Sequence, residues 1–132
     1  MCGIFFIKKP YNNEITLEKI KLDFLKGQSR GPDDTKFYEI GDYYLGFHRL
    51  SINGLNEQSN QPFCKNGVYV ICNGEIYNYK ELYSHIGILP QTNSDCEIIA
   101  DLYQLYPIDY FINLLDGVFA FILIDNENKQ EG

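Results

Sequence analysis

Seven consecutive residues, Val118 to Ile124, are apolar without exception, and that run limits the fold more than any other feature of the chain. It is short for a helix and rich in β-branched and aromatic types, so it is predicted as a strand. A strand that is apolar at every position has two faces to cover and is expected at the centre of a layered structure. The 132 residues are 45% hydrophobic and 22% charged, enough for one such core. No linker, repeat or low-complexity stretch divides them. A net charge of −7 argues against an electrostatic nucleic-acid binder. No apolar run approaches the roughly 20 residues of a membrane span. Neither nucleic acid nor membrane is therefore expected as a partner. Gly3 to Ile7 gives way to Lys8-Lys9-Pro10, too soon for a signal peptide. Four cysteines without a CxxC pair are no disulfide framework, and a reducing, cytoplasmic location is expected.

Local patterns predict the remaining elements. Cys2 to Ile7 has the length and composition of a buried strand. Thr16 is placed as an N-cap, with Ile15 and Ile20 as a staple, and Leu17, Ile20 and Phe24 form one helical face that Gly27 ends. Strands are predicted at Phe37 to Ile40 and Tyr43 to Phe47 around the hairpin-like Gly41-Asp42. From His48 to Lys65 the pattern is that of a long polar loop, a length that is uncommon without function. Val68 to Cys72 is a strand that Asn73-Gly74-Glu75 leaves. Asn78 to Glu81 and Ser94 to Glu97 both carry capping-box spacing, and Glu81 and Glu97 are assigned to capping alone. Pro107 interrupts the helix that runs through Ile98, Ile99, Leu102 and Leu105.

Three features carry chemistry. Arg30 and Arg49 are the two arginines in a chain that otherwise uses lysine. A guanidinium binds a carboxylate through two parallel bonds, which an ammonium cannot copy; the plain alternative is a pair of structural ion pairs. Cys2 follows Met1 directly, and removal of Met1 would free an α-amino group with a pKa of about 7.7–8.0, able to act as base to its own thiol. The plain alternative is a small buried cysteine that opens a strand. Asn73-Gly74 at a strand end offers a side-chain amide beside an unhindered N–H, two donors suited to an oxyanion; otherwise it is simply a turn. Asp95 follows the cap Ser94 and complements a helix dipole with or without a ligand. His48 and His85 are isolated, no cysteine spacing suits zinc, and no glycine-rich phosphate loop is present. A triad of Ser51, His48 and Asp95 lacks the supporting nucleophile motif.

Taken together, Met1-Cys2-Gly3-Ile4, Arg30-Gly31-Pro32-Asp33-Asp34, His48-Arg49-Leu50-Ser51-Ile52, Asn60-Gln61-Pro62, Asn73-Gly74-Glu75-Ile76-Tyr77-Asn78, Ser94-Asp95 with Glu97, and Leu115 to Phe121 resemble the class II glutamine amidotransferase domain. This is an N-terminal-nucleophile hydrolase, and the resemblance is greatest to the branch found in glutamine-hydrolysing asparagine synthetases. The likeness covers nearly the whole chain. It implies an α+β fold, a four-layer αββα sandwich, with residues 1–132 as an amidotransferase domain lacking its last strands.

The resemblance also implies roles. Cys2 would attack the side-chain amide of L-glutamine and form a thioester. Asn73 and Gly74 would hold the oxyanion, and Arg49 would grip the substrate carboxylate. Asp95 and Glu75 would face its ammonium, and the backbone of Leu50, Ser51, Ile52 and Asn53 would line the pocket. No cofactor or metal is implied for this domain; ATP and Mg are implied only for a synthetase domain, or a full-length partner, that receives the ammonia. That domain is not expected in this chain, which lacks an SGGxDS loop. Asn53-Gly54 replaces the apolar-acidic pair that often follows in the family. The expected consequences are a poor or inactive enzyme in isolation and self-association through the strand at Val118 to Ile124. Two other readings fit the same pattern: a glutamine-binding or docking remnant without turnover, and an amidotransferase domain serving a different acceptor.

Overall fold

The computed structural model describes residues 3–9, 15–31, 34–49 and 61–126. These form an α+β arrangement with two small antiparallel sheets. β1 (Gly3–Lys8), β2 (Asp34–Ile40) and β3 (Tyr43–Arg49) make the first, in the order β1-β3-β2. β4 (Phe63–Lys65), β5 (Val68–Ile76) and β6 (Gly117–Asp125) make the second, in the order β4-β5-β6. The helices are α1 (Leu17–Leu25), α2 (Tyr79–Ile86), α3 (Ile98–Leu105) and the short α4 (Ile108–Phe111). Among the described residues, no helix is long and apolar enough to cross a membrane.

Local chemistry accounts for most of the boundaries. The Thr16 hydroxyl accepts the Lys19 N–H and caps α1, as its position predicts. Gly27 follows that helix with φ −86°, so the chain leaves through a 3-10 turn at Gln28–Arg30 rather than through a left-handed cap. The β2–β3 hairpin turns at Gly41 (φ 56°) and the β4–β5 hairpin at Asn66 and Gly67 (φ 51° and 76°), positive angles that suit the twist of the paired strands. Both strands of the first hairpin run longer than the hydrophobic pattern alone indicates, and β3 continues to Arg49.

Two predicted capping boxes form differently. Asn78 precedes α2, but its side chain caps no helix N–H. It donates to the Leu114 carbonyl and accepts the Asp116 N–H, tying the start of α2 to the segment that enters β6. Ser94 accepts the Cys96 N–H and opens a 3-10 turn at Asp95–Glu97 before α3. Glu97 does not reach back to Ser94; its carboxylate turns into the interior.

The core divides into two clusters. Ile40, Leu45 and Phe47 of the first sheet meet Ile71 and Ile124 of the second, with Ile4 and Ile122 at their border. On its other side the second sheet meets the helices: Val68, Val70, Cys72 and Ile76 pack with Leu82, Ile98, Ile99, Leu102 and Phe111. Phe24 of α1 lies on the first sheet against Phe5, Phe37 and His48. β6 therefore gives Phe119, Phe121 and Leu123 to one cluster and Ile122 and Ile124 to the other. Its two faces are served as expected, but its place is corrected: among the described residues β6 stands at the edge of its sheet, and Val118 is 71% exposed. Apolarity at every position reports two neighbouring layers; it does not report a strand on each side.

Candidate active site

Among the described residues, the site is built on the half of one strand that has a neighbouring strand on one edge only. β4 pairs with β5 only from Val68 to Val70, whereas β6 follows β5 along its whole length, to Ile76 opposite Gly117. The predicted exit from the strand at Asn73 is thus corrected: Asn73, Gly74 and Glu75 remain in β5, opposite Ala120, Phe119 and Val118. β6 holds them there, a non-local partner that local propensity cannot anticipate.

Beyond Val70 the other edge of β5 is satisfied by side chains. Gln61 donates its Nε2 to the Cys72 carbonyl at 3.0 Å and accepts the Cys72 N–H on Oε1. The Cys96 thiol lies 3.8 Å from the Gly74 carbonyl. Asp95 Oδ2 accepts the Ile76 N–H at 2.6 Å. In an antiparallel ladder, alternate residues direct both backbone groups to the same edge. The Gly74 N–H therefore belongs to the edge shared by Cys72 and Ile76, away from β6. Gly74 has φ +145°, and a Cβ there would lie 2.2 Å from the Val118 carbonyl oxygen and 2.5 Å from Phe119 Cα. Only glycine fits so close an approach. The Asn73 side chain is half-buried and shares a face with Tyr69 and Ile71, the face turned toward the first sheet.

Glu75 and Asp95 come together on a cavity of about 690 Å³ that Tyr77, Lys80, Tyr83 and Asn93 also line. Two carboxylates with a single lysine suit a cationic group on a ligand. Asn73 and Gly74 adjoin this cavity in sequence but do not line it.

Behind the cavity sits a charged cluster that the sequence patterns did not reveal. Lys65 reaches Glu97 at 2.7 Å and both oxygens of Asp101 at 2.7 and 2.8 Å. Tyr83 donates to Asp101. Glu97, fully buried, also accepts the N–H groups of Gln91 and Thr92 and the Thr92 hydroxyl. The assignment of Glu97 to capping alone is therefore corrected: it gathers the 91–97 segment that presents Asp95. Burial pushes the Glu97 carboxyl up, but the Lys65 ammonium, the Thr92 hydroxyl and the Gln91 N–H outweigh it and hold the group below the usual glutamate range. Burial first, then the Asp101 carboxylate, pushes the Tyr83 hydroxyl far above its ordinary value.

His48 is structural. Its Nε2 lies 2.8 Å from the Phe24 carbonyl and its Nδ1 3.0 Å from the Thr35 hydroxyl. The carbonyl can only accept, so Nε2 donates. The ring also stacks on Phe24 at 4.2 Å. It locks the end of α1 to β3 one residue before Arg49, and Gly3 pairs opposite it. Among the described residues, Cys64, Cys72 and Cys96 form no disulfide, and the last two are buried.

Of the residues singled out in the sequence, the structure brings Asn73, Gly74, Glu75 and Asp95 to one end of β5. Cys2, Leu50, Ser51, Ile52 and Asn53 lie outside the described residues, as does the side chain of Arg49, whose backbone ends β3.

A family model described as a glutamine amidotransferase domain matches residues 1–131. The chain belongs to the glutamine amidotransferase family. This amidotransferase domain is 38% identical, over 98% of its length, to a probable glutamine-hydrolysing asparagine synthetase of Acanthamoeba polyphaga mimivirus. It is 37% identical over 98% of its length to the human asparagine synthetase (glutamine-hydrolysing), and 40% identical over 76% to asparagine synthetase 1 (glutamine-hydrolysing) of Arabidopsis thaliana. The match takes in 24%, 24% and 17% of those three proteins, so the amidotransferase domain spans a quarter or less of their length.

Proposed function

We propose that this domain hydrolyses L-glutamine to glutamate and ammonia through Cys2, as the glutaminase part of an asparagine synthetase. The observation that carries the reading is the free edge of β5, where side chains replace a neighbouring strand on both sides of Gly74. Such an edge aims a backbone N–H at a ligand, and an asparagine side chain stands one residue away.

The chemistry follows from those groups. Once Met1 is removed, the Cys2 amine takes the thiol proton and the thiolate adds to the amide carbon of glutamine. Charge gathers on the former carbonyl oxygen, where Asn73 Nδ2 and the Gly74 N–H donate. The ammonium returns its proton to the leaving nitrogen, and ammonia departs, leaving a thioester. Water, deprotonated by the same amine, opens the thioester and releases glutamate. Arg49 holds the substrate α-carboxylate with its fork, backbone groups of residues 50–53 line the pocket, and Asp95 and Glu75 face the α-ammonium. Ammonia then passes to a synthetase domain.

The fold that fits this chemistry is the four-layer αββα sandwich of N-terminal-nucleophile hydrolases. It is supported by α1 on one side of the first sheet, helices on the far side of the second, and the apolar layer between them. Glutamate release from glutamine, measured for the wild type and for Cys2→Ala, tests the function. Turnover in the wild type that disappears in the variant while glutamine binding persists is the expected result, and equal turnover in both would overturn it.

A further inference from the structure

We propose that Gln61 is a positioning residue for the oxyanion donors, its carboxamide replacing a strand residue and fixing the β5 edge at Cys72. The inference rests on the function proposed above. β4 and β5 pair as Phe63 with Val70, Cys64 with Tyr69 and Lys65 with Val68. Two further steps in that register bring position 61 opposite Cys72. The backbone ladder stops at Phe63, and the Gln61 side chain makes both bonds that a strand residue would have made there.

A carboxamide is the same donor–acceptor pair as a peptide group, so it can replace one without leaving either Cys72 group unpaired. Gln61 is only 5% exposed and Cys72 is buried. Water therefore cannot substitute, and an unmade bond there is costly. The next residue on the same edge is Gly74, at φ +145°, a conformation that glycine adopts freely and other residues do not, so the strand's neighbours must hold its N–H in place. Gln61 restrains that edge two residues before Gly74, and Asp95 restrains it two residues after, at Ile76. Asn73 lies within the restrained interval. Without Gln61 this edge of β5 keeps the Cys96 thiol at Gly74 and the Asp95 bond at Ile76 but loses its fastening ahead of Asn73, and a displacement of about 1 Å at an oxyanion donor costs on the order of a hundredfold in rate. In the proposed function substrate affinity depends on Arg49, Glu75 and Asp95, whereas the bonds of the Gln61 carboxamide go to Cys72.

Two variants of the complete chain separate positioning from simple loss of structure. Gln61→Met keeps the length and removes both bonds; its kcat for glutamate release falls roughly ten- to a hundredfold, with a glutamine KM within about threefold of wild type. Gln61→Glu can accept the Cys72 N–H when ionised but can donate to the Cys72 carbonyl only when protonated. Burial raises such a carboxyl's pKa, so its kcat relative to wild type climbs as pH falls through that value. A Gln61→Met kcat within twofold of wild type, or a Gln61→Glu ratio independent of pH, overturns the proposal. Amide exchange provides an arm that needs no turnover: the Cys72 N–H is protected in the wild type and exchanges faster in Gln61→Met, and undiminished protection overturns the proposal. A wild-type chain that releases no glutamate overturns the glutaminase reading instead, and the exchange measurement still decides whether Gln61 holds the strand.

Discussion

Asp95 Oδ2 and the Ile76 N–H are joined at 2.6 Å, so the carboxylate proposed to meet the substrate ammonium is also a fastening of the strand that carries Asn73 and Gly74. The two tasks can be separated. Asp95→Asn keeps an oxygen for Ile76 and loses the charge; in the proposed function the glutamine KM rises about ten- to a hundredfold, the loss of a charge-assisted bond of about 1.5–3 kcal/mol. Asp95→Ala loses both, so its thermal midpoint falls as well. Steady-state kinetics and thermal melts on the pair check this.

Arg49→Lys is expected to raise the glutamine KM by a similar factor. An ammonium makes a point contact where a guanidinium makes two parallel bonds. Kinetics in a folded, active preparation with an unchanged KM would make Arg49 structural.

Gly74→Ala is expected to destabilise the domain by about 3 kcal/mol or more, combining a positive φ with a collision. The new methyl would stand 2.2 Å from a backbone oxygen, which cannot step aside as a flexible side chain could. Denaturant titration gives the magnitude.

Lys65→Met is expected to cost about 3 kcal/mol, because it leaves Glu97 and Asp101 without their shared cation in a buried setting. Asp101→Asn added to it should return part of the loss by removing one of the two negative charges. Their non-additivity is read from a double-variant cycle.

Acid should weaken the fold through the same cluster. The Glu97 carboxyl titrates lower in the folded state than in the unfolded chain, so its contribution is complete above the unfolded value of about 4.3. It is lost as pH falls below that toward the folded pKa. Stability measured against pH should therefore decline through this range, and less steeply in Glu97→Gln. At the alkaline end, Tyr83 has a raised pKa, so its contribution is present below about pH 10 and is lost as pH rises further.

Local signals were readable wherever the neighbours that decide them are close in sequence. The Thr16 cap, the turn at Gly41-Asp42 and the break at Pro107 fall where their residues predict. The Asn66-Gly67 hairpin carried the same kind of signal. What could not be read depends on distant partners. Asn73 to Ile76 stay in a strand because β6 lies alongside. Asn78 turns from its own helix to Leu114 and Asp116. Glu97 faces Lys65, 32 residues away. Spacing also described the short β4 and the Gln61 bonds as part of one polar stretch, since a side chain acting as a strand has no periodicity. The candidate site was legible as a set of residue types, while the means of holding them was not.

Gly117 approaches Glu75 as Gly74 approaches Val118: a Cβ at Gly117 would come within 2.0 Å of the Glu75 carbonyl oxygen. The two strands thus press together at the site with hydrogen atoms where other residues carry side chains. A surface made of main chain looks the same to selection whatever codons surround it, and it offers no side chain to exchange. Under the proposed function, any drift or redesign toward a different amide must therefore work from the cavity lining, at positions such as Tyr77, Lys80 and Asn93, while the strand contact at these two glycines passes unchanged from one variant to the next.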